Sequence, residues 1–141
     1  MIETTAQRVF IFRMNPGADL LDDMARFLAE KNIRFGTASI IGALDKAILG
    51  AYSFEECVYK KYTYEREMEI LHCTGNISML DGAPFAHLHM VVSDIEGKAF
   101  GGHVFSGCKV KVAECIVTEF AGEPLIRQTD DTTGLKLWKI G

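Results

Sequence analysis

The four residues Asp94-Ile95-Glu96-Gly97 constrain this chain more than any other stretch of it. Aspartate suits the first position of a type I turn, and Gly97 supplies the positive φ that a three-residue hairpin loop with a bulge requires. Such a turn pairs Asp94 with Lys98 and sets the register of the whole hairpin from Phe85 to Phe105. His89 then faces His103 directly, and His87, two residues before His89, projects to the same side. One face carries Phe85, His87, His89, Val91 and Ser93 opposite Phe105, His103, Gly101 and Ala99. The other carries Ala86, Leu88, Met90 and Val92 opposite Ser106, Val104, Gly102 and Phe100, and is apolar enough to form core. A slip of one residue, which a bulge at Gly101-Gly102 would introduce, sends His103 to the core face.

Three of the four histidines of the chain therefore converge in one patch. Histidines two apart on a strand have Cα atoms roughly 6.5–7 Å apart at ~3.3 Å per residue, so their rings can lean to a common point. Three neutral imidazoles match a divalent transition metal, zinc most commonly, with a fourth position left open. His87, His89 and His103 are the candidate metal ligands. An open position is the catalytic type of site, and if the chain is an enzyme the chemistry it suits is that of a metal-dependent hydrolase or lyase. The competing interpretation is that the same histidines are hydrogen-bonded in a polar pocket or at a subunit interface. His72 is expected at the surface or partly buried. Glu65, Glu67 and Glu69 alternate on one face, which reads as solvated, and no carboxylate is assigned as a general base. Gly101-Gly102 precedes a histidine in a strand rather than opening a helix, so it is no phosphate cradle. Ser106-Gly107-Cys108 reads as a turn.

The remaining pattern is mostly strand. Gln7 to Asn15 has apolar residues on both faces, which predicts an interior strand. Leu20, Leu21, Met24, Phe27 and Leu28 recur at helical spacing and predict one main helix over about residues 18–32. Arg34 to Ile41 and Leu44 to Tyr52 flank a bulge or bend at Gly42-Ala43. Val58 to Tyr64 follows, then Met68 to Met79 with an interruption at Gly75-Asn76, then the hairpin, then Val110 to Phe120. A polar interval from Thr129 to Gly134 precedes a last short strand, Leu135 to Ile140. The sum is an α+β single domain over residues 1–141, a mostly antiparallel twisted sheet of seven to eight strands with one helix. Strands apolar on both faces exceed what one helix can cover, which points to a partner subunit.

Composition removes some partners. The formal charge is −4 and the basic residues are scattered, whereas phosphate binding needs concentrated positive charge. No run approaches the ~18–20 apolar residues of a membrane span. The start of the chain lacks a secretory pattern, and Cys57, Cys73, Cys108 and Cys115 show no C-x-x-C spacing, so reduced thiols and a cytoplasmic address are expected.

With these residues in hand, the chain resembles the plants-and-prokaryotes-conserved (PPC) domain family. The likeness lies in GTASIIGALDKAILGAY (Gly36 to Tyr52), EMEILHCTGNIS (Glu67 to Ser78), HLHMVVSDIEGKAFGGHVFSGCKV (His87 to Val110) and AECIVTEF (Ala113 to Phe120). The paired signature H-L-H and G-G-H-x-x-x-G resembles the prokaryotic branch. The resemblance implies a homotrimer, a metal site on His87, His89 and His103, and a unit that binds a small-molecule ligand. It also carries a DNA-binding label, taken largely from plant relatives in which an AT-hook precedes the domain. No Arg-Gly-Arg-Pro core occurs in this chain, which removes the main warrant for that label.

Overall fold

The computed structural model describes residues 1–139. Its main sheet has seven strands, β1 (Ala6–Met14), β2 (Gly36–Ser53), β3 (Val58–Tyr64), β4 (Met68–Leu80), β5 (Ala83–Ser93), β6 (Ala99–Val104) and β7 (Lys109–Phe120). All pair antiparallel, in the order β1-β7-β2-β4-β5-β6, with β3 on the far half of β2. A helix, α1 (Leu20–Glu30), follows β1, and the tail adds a two-stranded sheet of β8 (Arg127–Thr129) and β9 (Lys136–Trp138). The chain is thus the α+β domain its patterning predicts.

Strand β2 organises the sheet. Its first half lies between β4 and β7, while its second half pairs with β3 and, at Leu49 and Gly50, with β6. That last pairing returns the end of the strand order to its middle and curls β2, β4, β5 and β6 round on themselves. The two strands expected on either side of Gly42-Ala43 are one strand of 18 residues, bulged where its registers with β4 and β7 shift. Strand β4 is likewise unbroken at Gly75, where an interruption was expected. Gly75 answers to close approach instead. It pairs with Leu88, and a Cβ there would collide with the backbone carbonyl of His87.

Helix α1 covers one face of the sheet. Asp19 caps it by accepting from the backbone N–H groups of Leu21 (3.1 Å) and Asp22 (3.0 Å). At the other end Asn32 takes φ 51°, and the amides of Asn32 and Ile33 return to the carbonyls of Ala29 (3.1 Å) and Leu28 (2.8 Å). This is a left-handed stop, in which Asn is tolerated where most residues are not. The helix is therefore shorter than the predicted span by two residues at each end, Ala18-Asp19 and Lys31-Asn32. Leu20, Met24 and Leu28 are fully buried in one core with Leu88, Met90, Val92, Val104 and Val117. Burying each such side chain is worth about 1.5–3 kcal/mol.

The opposite face stays open at its β1 end. Strand β1 lies at the sheet edge rather than in its interior, with Phe10 and Phe12 packed on Phe27 while Val9 and Ile11 face outward, Ile11 79% exposed. Both faces of β1 are apolar, as the pattern says, but only one is covered within the chain. Register partners run across this open face in rows. One row is Val9, Thr118, Thr37, Asn76 and His87, and the next is Ile11, Ile116, Ser39, Thr74, His89 and His103. The histidines thus sit at the end of a surface that begins as exposed aliphatic residues. The last strand is Lys136–Trp138, and Ile140 lies outside the described residues.

Two glycine substitutions separate strand approach from turn strain. Gly97→Ala, at φ 80° with open space around it, should cost about 1–2 kcal/mol, the penalty of a left-handed L-residue. Gly75→Ala should cost more, because β4 and β5 must part. Chemical denaturation of the two variants checks the ranking.

Candidate metal centre

The Asp94–Gly97 turn forms as the sequence requires. Gly97 has φ 80° and its N–H donates to the Asp94 carbonyl (2.9 Å), while Asp94 and Lys98 close the ladder. His89 pairs with His103 and Met90 with Gly102, so no slip occurs at the two glycines. Ala86, Leu88, Met90 and Val92 go to the core and the three imidazoles to the open face. Ring centroids are 5.0 Å apart for His87 and His89, 4.9 Å for His87 and His103, and 5.5 Å for His89 and His103. One nitrogen from each ring lies within 4.8 Å of the others, close enough for the three to hold a metal ion.

The surroundings of the rings differ. His89 is exposed, while His87 and His103 are half-buried. Tyr59 and Phe105 pack on the His103 ring, at centroid distances of 4.9 Å and 4.8 Å. The Nδ1 of His103 is buried without any hydrogen-bond partner. A buried polar atom so left is costly unless something outside the chain satisfies it. Burial first, then Arg127 and His89, pushes the pKa of His87 down to about 4. Burial, followed by the neighbouring imidazoles and the cations Arg127 and Lys61, does the same to His103, also to about 4. Both rings are neutral at pH 7, the form in which imidazole has a lone pair to give. The donor set and the orphaned nitrogen fit a borderline metal such as zinc.

Arg127 is the site residue that sequence patterning missed. It is 6% exposed and stands behind His87. Its Nε donates to Ser78 Oγ (2.8 Å), Nη1 to the Lys136 carbonyl (2.6 Å), and Nη2 to Asn76 Oδ1 (2.6 Å). Nη2 also lies 3.2 Å from His87 Nδ1. Arginine has only donors, so Nδ1 is the acceptor here, and a neutral His87 ring must then carry its hydrogen on Nε2. For His87 to ligate an ion, this hydrogen bond has to be released. The tail reaches the site because β4 outruns the start of β2, and the Met79 N–H donates to the Leu125 carbonyl (2.9 Å) on the vacated edge. In sequence, Arg127 is only a cation after Leu125-Ile126.

The other residues singled out lie elsewhere. His72 pairs with Val91 on the same face, is exposed, and takes no part in the cluster. Glu65 and Glu67 are exposed and ion-paired with Lys46 and Lys111. Ser106 and Gly107 form a turn tied to α1, through Ser106 Oγ on Asp22 (2.7 Å) and the Gly107 N–H on Asp19. All four cysteines are free; burial pushes the thiols of Cys73 and Cys115 up to about 12 and that of Cys108 to about 11. Among the described residues no helix is long and apolar enough to cross a membrane.

A family profile for the Plants and Prokaryotes Conserved (PCC) domain matches residues 1–121. The chain belongs to that family. The PCC chain is similar to a metal-containing protein from Archaeoglobus fulgidus, at 36% identity and a TM-score of 0.94 over 99% of both chains. It is also similar to a plant- and prokaryote-conserved protein from Pyrococcus horikoshii, at 31% identity and a TM-score of 0.94 over 99% of this chain and 98% of that one. A candidate DNA-binding protein from Bacteroides thetaiotaomicron is 25% identical with a TM-score of 0.87 over 96% of each chain. By sequence, the bifunctional protein GlmU of Synechococcus sp. (strain JA-3-3Ab) is 31% identical over 135 residues, 94% of this chain and 20% of that protein. The PCC chain thus spans about a fifth of the length of the curated relatives it matches.

The lowered imidazole pKa values have a sign that can be checked. An unfolded histidine takes up a proton near pH ~6.5, whereas the folded chain holds His87 and His103 neutral down to about 4. The stability they contribute is present above about pH 6.5 and is lost as pH falls toward 4. Denaturation midpoints of chelator-treated protein should fall across that window. A His87→Gln/His103→Gln variant should fall less.

Proposed function

We propose that this PCC chain is a homotrimeric metal-binding protein in which His87, His89 and His103 hold a divalent ion, zinc in the first instance, beside a pocket for a small molecule that it acts on or senses. The observation that carries this reading is the convergence of three imidazoles with a buried, partnerless nitrogen on one of them. The similarity to a metal-containing protein of Archaeoglobus fulgidus supports it. When bound, such an ion supplies Lewis acidity and an open coordination position. The chain's own residues hold the rings in place and exclude water from the inner side through Tyr59 and Phe105. If there is a reaction, hydrolysis or a lyase step is the class such a site suits, and the cluster contains no carboxylate to act as its base. Assembly with partner subunits is supported by the uncovered aliphatic residues Val9, Ile11, Ile41 and Ile116, since a monomer rarely leaves such a patch in water. Four free cysteines accord with a cytoplasmic setting.

Elemental analysis of protein purified without a metal-affinity tag tests the site. The metal content should approach one ion per chain, and the His87→Ala/His89→Ala/His103→Ala variant should lose it together with several degrees of melting temperature; excess metal at a hundred times Kd stabilises by roughly 2.7 kcal/mol. Content below ~0.2 per chain with an unchanged melting temperature in the variant sinks the reading. Sizing before and after chelation then shows whether assembly depends on the ion.

A second reading, DNA binding through the trimer, is favoured by the similarity to a candidate DNA-binding protein. A net charge of −4 weighs against it. The expected outcome is no complex with duplex DNA even at low salt. A complex that weakens steeply as salt rises would establish this second reading instead.

A further inference from the structure

Beside the histidines lies a pocket of about 620 Å³, walled by Tyr52, Tyr59, Phe85, Leu135 and Leu137, with Arg127, His87 and His103 at its polar end. We propose that this pocket takes a small organic anion, a carboxylate carried on a flat apolar group, which Arg127 receives, and that the anion and a metal ion on the histidines bind cooperatively. The coupling rests on the metal-site reading above; the anion site rests on Arg127 and stands without it.

Arg127 carries the first part. Its guanidinium is buried, and its hydrogen bonds go to neutral acceptors on Ser78, Asn76, Lys136 and His87. Among the described residues it forms no ion pair with a carboxylate. A buried charge without a counter-charge is strongly disfavoured, and a carboxylate is the planar acceptor that a guanidinium fork matches. Asp131 and Lys136 are the other charged residues of the lining. Asp131 is exposed, and Lys136 Nζ is turned to Thr129 Oγ1 (2.8 Å). The Lys61 ammonium, over the Phe105 ring at 4.2 Å, adds positive charge on the His103 side. The walls select the remainder of the ligand. They are chiefly aromatic and aliphatic, and the volume falls within the ~300–1,000 Å³ of small-molecule sites.

The coupling follows from the hydrogen on His87. While Arg127 donates to Nδ1, the ring keeps its hydrogen on Nε2 and has no free lone pair for an ion. An anion that accepts the Arg127 N–H releases Nδ1, so anion and metal each favour the arrangement the other requires. Each must then tighten the other by one common factor.

Isothermal titration of benzoate into zinc-loaded and chelator-treated protein tests this, with benzamide as the neutral isostere and inorganic phosphate as an anion without an apolar body. Benzoate should bind one site per chain about tenfold or more tighter than either, the loss expected for one charge-assisted contact. Zinc should tighten benzoate by the same factor by which benzoate tightens zinc. Arg127→Met should abolish both the preference over benzamide and the coupling. Because Arg127 is buried and its loss can loosen the tail, Leu137→Glu provides a second variant: a like charge on the apolar wall should weaken benzoate about tenfold or more while zinc content is retained. Equal binding of benzoate and benzamide, or benzoate binding untouched in both variants, overturns the anion site. Selective benzoate binding with unaltered zinc affinity overturns the coupling. Should the wild-type chain take up no zinc at all, the metal-site reading fails separately, and the preference for benzoate over benzamide in metal-free protein still decides the anion site.

Discussion

The structure depends on the antiparallel register of β5 against β6. Side chains on a strand alternate with a period of two, so one register sends Leu88, Met90 and Val92 into the core and His87 and His89 out of it. A shift of one residue would bury imidazoles and expose leucine, at a cost of several kcal/mol by area alone. The core thereby enforces the geometry of the site: the apolar residues interleaved with the histidines hold the three rings on one side.

Around that hairpin the rest of the chain acts as bracing. Gly75 lets β4 lie close against the backbone of His87, and the β2–β6 pairing at Gly50 and His103 anchors the second histidine strand from its other edge. Asp19 both caps α1 and accepts from the Gly107 amide, so the helix start fixes the turn directly after β6. The tail crosses the end of β4 and brings Arg127 behind His87. The result is a site with two characters, an open side continuous with an exposed aliphatic face and an inner side of aromatic rings and one buried cation.

These two characters bear on the chemistry. Neutral imidazoles make good donors to a metal ion, and burial keeps those of His87 and His103 neutral well below pH 7. The same burial places a guanidinium against His87, where it competes for the lone pair an ion would need. A site built this way answers to what else is present in the pocket, which a bare three-histidine tripod at a protein surface would not.

Much of this was legible in the sequence wherever the controlling interaction is local. The Asp94–Gly97 turn, the co-facial histidines, the helix stripe of Leu20, Met24 and Leu28, and the strand Val58–Tyr64 all follow from turn chemistry and periodicity within a few residues. Pattern and structure differ at Gly75 because a glycine within a strand signals either a break or a close approach, and only the position of β5 tells which. Strand β1 lies at the edge rather than in the interior its pattern predicts for a similar reason: two apolar faces say that both want cover, but not whether the cover comes from the same chain. Arg127 could not be found at all, since its partners Ser78, Asn76 and His87 lie 40 to 51 positions away. By itself, then, the sequence determined which residues face together along each strand, because alternation and turn geometry are short-range. Which strands meet, and which distant cation arrives beside the histidines, was decided by tertiary packing, because those contacts depend on how the whole sheet closes.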